Sequence, residues 1–153
     1  MRRASFFILH ITLPLLLGGL VYLAFRSTDL LMFRWFDALG LETLILSLRE
    51  FLQSMNLDLP NWVVYNFPDG CWVWSLTSAC TWIWERIDSW ESGLWICSSI
   101  LLGVASEVAQ HYQLISGVGD VYDVLCMVCA WIAAYIFCLD RDSEEHHEIC
   151  IGD

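Results

Sequence analysis

Lysine is absent from the 153 residues, and the seven basic side chains are arginines scattered from Arg2 to Arg141. No basic patch can follow a phosphate backbone, so nucleic acid is a poor partner. Charge of either sign is scarce, at 16% of residues, where a soluble domain carries about 25%. No internal repeat or low-complexity linker divides the chain. Also missing are Ser-x-x-Lys, His-Glu-x-x-His, a phosphate-binding P-loop and a Gly-rich dinucleotide turn, so the common hydrolase, metalloprotease and nucleotide signatures are not present. No cofactor or metal is expected.

What is present is apolar: 58% of residues, with 14% aromatic and a mean hydropathy of +0.56. The length allows one domain, residues 1–139, followed by an acidic tail, 140–153, that holds six acids. The first apolar run, Phe6–Phe25, has no formal charge. At 1.5 Å per residue its twenty residues reach about 30 Å, enough to cross a bilayer. It is too long for a signal peptide, and Ala24-Phe25-Arg26 is a poor cleavage site. Three further runs follow. Cys71–Trp84 has Trp72, Trp74, Trp82 and Trp84 paired at its ends, as interfacial aromatics are placed. Gly93–Val108 and Val121–Leu139 complete the set, the last stopped by Asp140-Arg141-Asp142. The middle pair is short and must borrow flanking residues. The four spans are therefore placed at about 6–25, 70–86, 92–108 and 121–139.

Between the first two, Leu41, Leu44, Ile45, Leu48, Phe51, Leu52 and Met55 recur at helical spacing, with Glu42, Arg49, Glu50 and Gln53 on the other face. This predicts an amphipathic helix over 41–55, lying at the interface or over the bundle mouth. The expected fold is an all-α integral membrane four-helix bundle with this helix added. Four spans place both termini on one side. Four arginines (2, 3, 86, 141) on that side against three (26, 34, 49) on the other, with Arg2-Arg3 beside the first span, put the termini in the cytoplasm of an inner (cell) membrane.

The chemistry-bearing segment is Glu107-Val-Ala-Gln110-His111, then Gly117-Val-Gly119-Asp120-Val-Tyr-Asp123. Glu107 and Gln110 share a helix face, Asp120 and Asp123 repeat the spacing, and the glycines permit a tight turn between spans three and four. Parity puts Arg26, Arg34, Arg49 and Asp69 on the same side. Carboxylates in a poorly hydrated mouth cannot all stay ionised cheaply unless an arginine neutralises them, and Arg34 or Arg49 is the expected cation. Such a cluster binds a polar head group or merely closes the fold as an ion network. Asp120 and Asp123 also fit as helix caps and dipole partners, and Glu107 as a solvated helix end.

Glu107-x-x-Gln110, a Gly-containing turn and Asp120-x-x-Asp123 opening the last helix resemble the closing half of VanZ-like membrane proteins. Pro68-Asp69-Gly70-x-Trp72 resembles the opening of the second span in small relatives of that group. The resemblance covers about residues 60–139. Met127 and Ala130 stand where such proteins often carry Asn and Gly, and Gly119 replaces an aromatic. The resemblance implies a multi-pass cell-membrane protein with relatives linked to glycopeptide-antibiotic resistance, and no reaction mechanism. It maps onto Glu107, Gln110, Asp120 and Asp123.

Cys126 and Cys129 are three apart within a span and read as packing, and seven scattered cysteines make no disulfide framework. His146, His147 and Cys150 sit on the tail without fixed geometry, and His10 reads as a packed side chain. The favoured function is binding of a lipid head group or glycopeptide-like ligand in an acidic pocket at the non-cytoplasmic mouth. The alternatives are a membrane enzyme acting on a lipid-linked substrate, with Glu107 or Asp123 as acid or base and Ser106 and His111 nearby, or a structural subunit with a membrane-protein partner or a second copy.

Overall fold

A computed structural model describes residues 2–28, 31–84, 87, 89–115 and 117–151, with side chains for these except 2, 3, 31 and 139–151. Glu85-Arg86, expected to close the second span, and the side chains of Arg2, Arg3, His146, His147 and Cys150 lie outside that set. The described chain is all-helical, without a strand. Its elements are α1 (Arg2–Phe6), a π-helical stretch (Phe7–Thr12), α2 (Leu13–Phe25), α3 (Leu31–Ala38), α4 (Glu42–Ser54), α5 (Asn61–Tyr65), α6 (Phe67–Trp84), α7 (Trp90–His111) and α8 (Val121–Ile151). Three helical segments are long and apolar enough to cross a membrane: Ala4–Phe25, Trp90–His111 and Val121–Cys138.

The boundaries have local causes. Pro14 cannot donate to the ladder and crowds the carbonyl four residues back, and the chain absorbs this as the π-stretch just before it. That bulge sets His10 in an aromatic stack, with ring centroids 4.9 Å from Phe6 and 4.4 Å from Phe137. Ser89 caps α7, its hydroxyl accepting from the Ser92 N–H, so α7 gains residues at both ends of the apolar run and reaches 22. Asp140-Arg141-Asp142 does not end α8. No proline or glycine occurs before Gly152, and the helix continues to Ile151.

α6 differs from the long helices in having its polar side chains inside. It packs along α2, α7 and, most extensively, α8. Its buried residues include Ser75, Thr77, Ser78, Thr81, Cys71 and Cys80. Thr77 and Thr81 donate to the carbonyls of Val73 and Thr77 at 2.7 and 2.9 Å, and Thr77 shares a 2.8 Å hydrogen bond with Ser99 of α7. Meanwhile Leu16, Leu20, Leu101, Leu102, Ile132 and Ile136 are exposed on the outer helices. Large apolar groups outside and small polar ones between helices is the pattern a lipid solvent selects. Small residues let the axes approach: a Cβ built on Gly18 of α2 would lie 2.8 Å from Cys71 Cβ and 3.2 Å from the Pro68 carbonyl.

α4 forms near the expected place and turns one side of the expected apolar face inward, together with Arg49. Ile45 is buried and Leu48, Arg49 and Leu52 are half-buried, whereas Leu44, Phe51 and Met55 are exposed. Arg49 and Gln53, assigned to the outer face by periodicity, instead meet the end of α2. The reason is that α2 stops with unsatisfied carbonyls, which are strong acceptors.

The close approach of α2 to α6 gives a paired prediction. Gly18→Ala should lower stability in detergent by about 1–3 kcal/mol, because the added methyl meets backbone and Cβ atoms that cannot swing away. Gly19→Ala, with nothing within 4 Å of its added Cβ, should be neutral or raise stability by up to about 1 kcal/mol. Thermal unfolding of the two variants side by side checks it.

Candidate functional site

The C-terminal ends of α2 and α7 meet the N-terminal ends of α6 and α8 at one end of the molecule. Between them lies a cavity of about 510 Å³ lined by Arg26, Asp69, Glu107, Gln110, Asp120 and Asp123, with Tyr22 and Tyr65 on its wall. Five of the seven expected site residues (Asp69, Glu107, Gln110, Asp120 and Asp123) are therefore gathered. Arg34 and Arg49 are not.

Asp69 and Asp123 each occupy the first turn of a helix, where the partial positive charge of the N-terminus favours an acid. Asp123 is buried, and Asn66 donates its amide to Asp123 Oδ1 at 2.6 Å. Asp120 is exposed and acts as a cap: its Oδ1 accepts the Tyr122 N–H at 3.0 Å. Glu107 runs against the pattern, since a buried carboxylate in the last turns of α7 faces the negative end of that helix. It is compensated by the loop that follows, whose Asp120 N–H donates to Glu107 Oε2 at 3.1 Å, and within α7 by Gln110, whose Nε2 donates to its Oε1 at 3.5 Å. The loop comes this close because of its glycines. Gly117 has φ +144, and a Cβ on Gly119 would lie 2.7 Å from the Glu107 carbonyl oxygen.

The cation at the mouth is Arg26. Its guanidinium donates to the Tyr65 carbonyl at 3.0 Å, lies 3.6 Å from Asp69 Oδ2, and sits 5.6 and 5.2 Å from the ring centroids of Tyr22 and Tyr65. Arg49 does not fill this role as expected. Its Nη1 donates to the carbonyls of Leu23 and Arg26 at 2.8 and 2.7 Å, while Gln53 donates to Ala24, so α4 caps α2. Arg34 is exposed and lines a separate small hollow with Asp37 and Glu42. Position decides between them: Arg26 directly follows α2, whereas Arg49 rides on α4, which packs against α2, and Arg34 on α3, which packs against α4. Asn66 escaped notice in the sequence, although its spacing of three from Asp69 puts it on the mouth side of α6.

Ser106 and His111 do not form a nucleophile–base pair. Ser106 donates its hydroxyl to the Gly103 carbonyl at 2.7 Å, and His111 is exposed with its ring edge-on to Tyr112. Cys126 and Cys129 are free thiols. A second hollow, about 450 Å³ and almost wholly apolar, runs from the mouth along α2, α6 and α7, and shares Asp69, Ser106 and Met127 with it.

The two arginines give a direct contrast. Arg49→Met should cost about 2 kcal/mol, since it strands carbonyls that a charged donor satisfied. Arg34→Met should change stability by less than about 0.5 kcal/mol, as exposed substitutions do. Chemical denaturation of both variants measures the difference.

No protein family, no curated protein and no solved structure gives a match to this chain.

Proposed function

We propose that the chain is a VanZ-like protein of the cell membrane, its termini cytoplasmic. In this reading α2, α6, α7 and α8 cross as a four-helix bundle and α4 lies at the interface. The acidic mouth holds the polar head group of a membrane-borne ligand. The observation that carries the reading is the cavity itself. Two buried carboxylates, Glu107 and Asp123, face a hollow large enough for a head group, beside Asp69 and Arg26. A network that only closed the fold would pair its charges and fill its space, because an unfilled polar cavity and unmatched acids are costly. The exposed apolar side chains of α4 (Leu44, Phe51, Met55) fit a helix resting on the membrane surface beside this mouth.

Glu107→Gln separates binding from a purely structural role. The amide oxygen still accepts the Asp120 N–H, and the Gln110 amide can turn to accept from the new NH2, so the fold should persist with a loss of no more than about 1 kcal/mol. Phospholipid retained from the membrane on gentle extraction, read by native mass spectrometry, should fall at least about tenfold, equivalent to about 1.4 kcal/mol. Unchanged retention with unchanged stability defeats the head-group reading. A loss of several kcal/mol in stability, with no lipid on the parent protein, assigns the cluster to the fold alone.

A further inference from the structure

We propose that the mouth and the apolar groove form one continuous site for a zwitterionic, amine-bearing phospholipid of the phosphoethanolamine type. Its ammonium sits among Glu107, Asp123 and Asp69, and one acyl chain runs down the groove. This rests on the reading of the mouth as a head-group site and names the ligand class.

Three features carry the choice. The first is adjacency: Asp69, Ser106 and Met127 line both hollows, so the polar and apolar compartments adjoin at these three side chains. The groove beyond is bounded by Ile11, Leu15, Val73, Leu76 and Leu102, the surface an alkyl chain seeks.

The second is charge. Among the described residues four carboxyl groups and one guanidinium line the mouth, so the acids outnumber the cation even with one or two of them protonated. A head group that is anionic overall is repelled, whereas a cationic end is attracted. Carboxylates only accept hydrogen bonds, and each offers about four acceptor sites, so a primary ammonium with three N–H donors satisfies what a quaternary ammonium cannot. The phosphate of the same head group is left to Arg26, whose planar donors suit it.

The third is a hydroxyl without a partner. Ser75 lines the groove, is 4% exposed, and makes no hydrogen bond through its Oγ. It lies six residues beyond Asp69 on α6, about 9 Å deeper along the axis. An ester carbonyl follows a phosphoethanolamine head into the bilayer in this direction. A rotation about χ1 of Ser75 presents the hydroxyl to it.

The test uses the full-length protein in nanodiscs of a phosphatidylcholine host containing equal mole fractions of phosphatidylethanolamine and phosphatidylglycerol, with adducts read by native mass spectrometry. Phosphatidylethanolamine adducts should exceed each of the others at least about tenfold. Asp123→Asn should abolish this preference. Ala79→Phe, which fills the groove, should reduce adducts of all three lipids without changing their ratio, and thermal unfolding confirms that each variant is folded. Equal adducts of the three lipids, still lost in Glu107→Gln, overturn the amine preference and leave the head-group reading standing. Preference for phosphatidylglycerol or phosphatidylcholine also overturns it. Adducts that survive in folded Ala79→Phe overturn the placement of the chain. Absence of every adduct overturns the present inference and the head-group reading together.

Discussion

The packing of α6 against α2 and α8 is the constraint on which the rest depends. A helix whose inward face is Ser, Thr, Cys and Gly allows neighbouring backbones to approach to within a few ångströms of a missing methyl, as Gly18 does against Cys71. Larger side chains would hold the axes apart and open the end of the bundle. Close approach brings the first turn of α6, with Asp69, beside Arg26 at the end of α2 and Asp123 at the start of α8. The threonine hydroxyls need no water, because Thr77 and Thr81 use carbonyls of their own helix and Thr77 also meets Ser99.

At the mouth, helix polarity sorts the charges. Asp69 and Asp123 stand at N-terminal ends and Arg26 at a C-terminal end, all three where the helix dipole favours them. Glu107 is the exception. It is held by a backbone N–H from the loop it helps to fold and by the Gln110 amide of its own helix. A carboxylate kept in an unfavourable place, buried and facing a cavity, is the feature that most sets this mouth apart from an ordinary capped helix end.

Much of this was legible in the sequence. The long apolar runs and their flanks gave the first, third and last apolar helices, and the spacing of Glu107, Gln110, Asp120 and Asp123 gave a convergent cluster. The cation was less legible. Arg26, Arg34 and Arg49 are equivalent by parity, and only the folded path shows that α4 spends Arg49 on the carbonyls of Leu23 and Arg26. Arg49 and Gln53 were placed on the wrong side of α4 for the same reason. Periodicity sorts side chains by polarity, whereas the free carbonyls at the end of α2 attract polar partners. The apolar groove was not legible at all, since Ile11, Leu76 and Leu102 belong to three helices. The central position of α6 was hidden by its composition, because a helix surrounded by helices need not be as apolar as one facing lipid.

Whether α6 crosses the membrane decides whether the mouth exists as one surface. A crossing α6 puts the end of α2 and the end of α7 on one face and the α6–α7 turn on the other. Single cysteines at the exposed positions Ser27, Ile87 and Tyr112, in a chain with its seven native cysteines replaced, can be labelled with a membrane-impermeant maleimide in sealed vesicles of known orientation. Ser27→Cys and Tyr112→Cys should label from the same face and Ile87→Cys only from the opposite one. Labelling of Ser27→Cys and Ile87→Cys from one face, with Tyr112→Cys on the other, would mean that α6 does not cross, and would contradict the shared mouth.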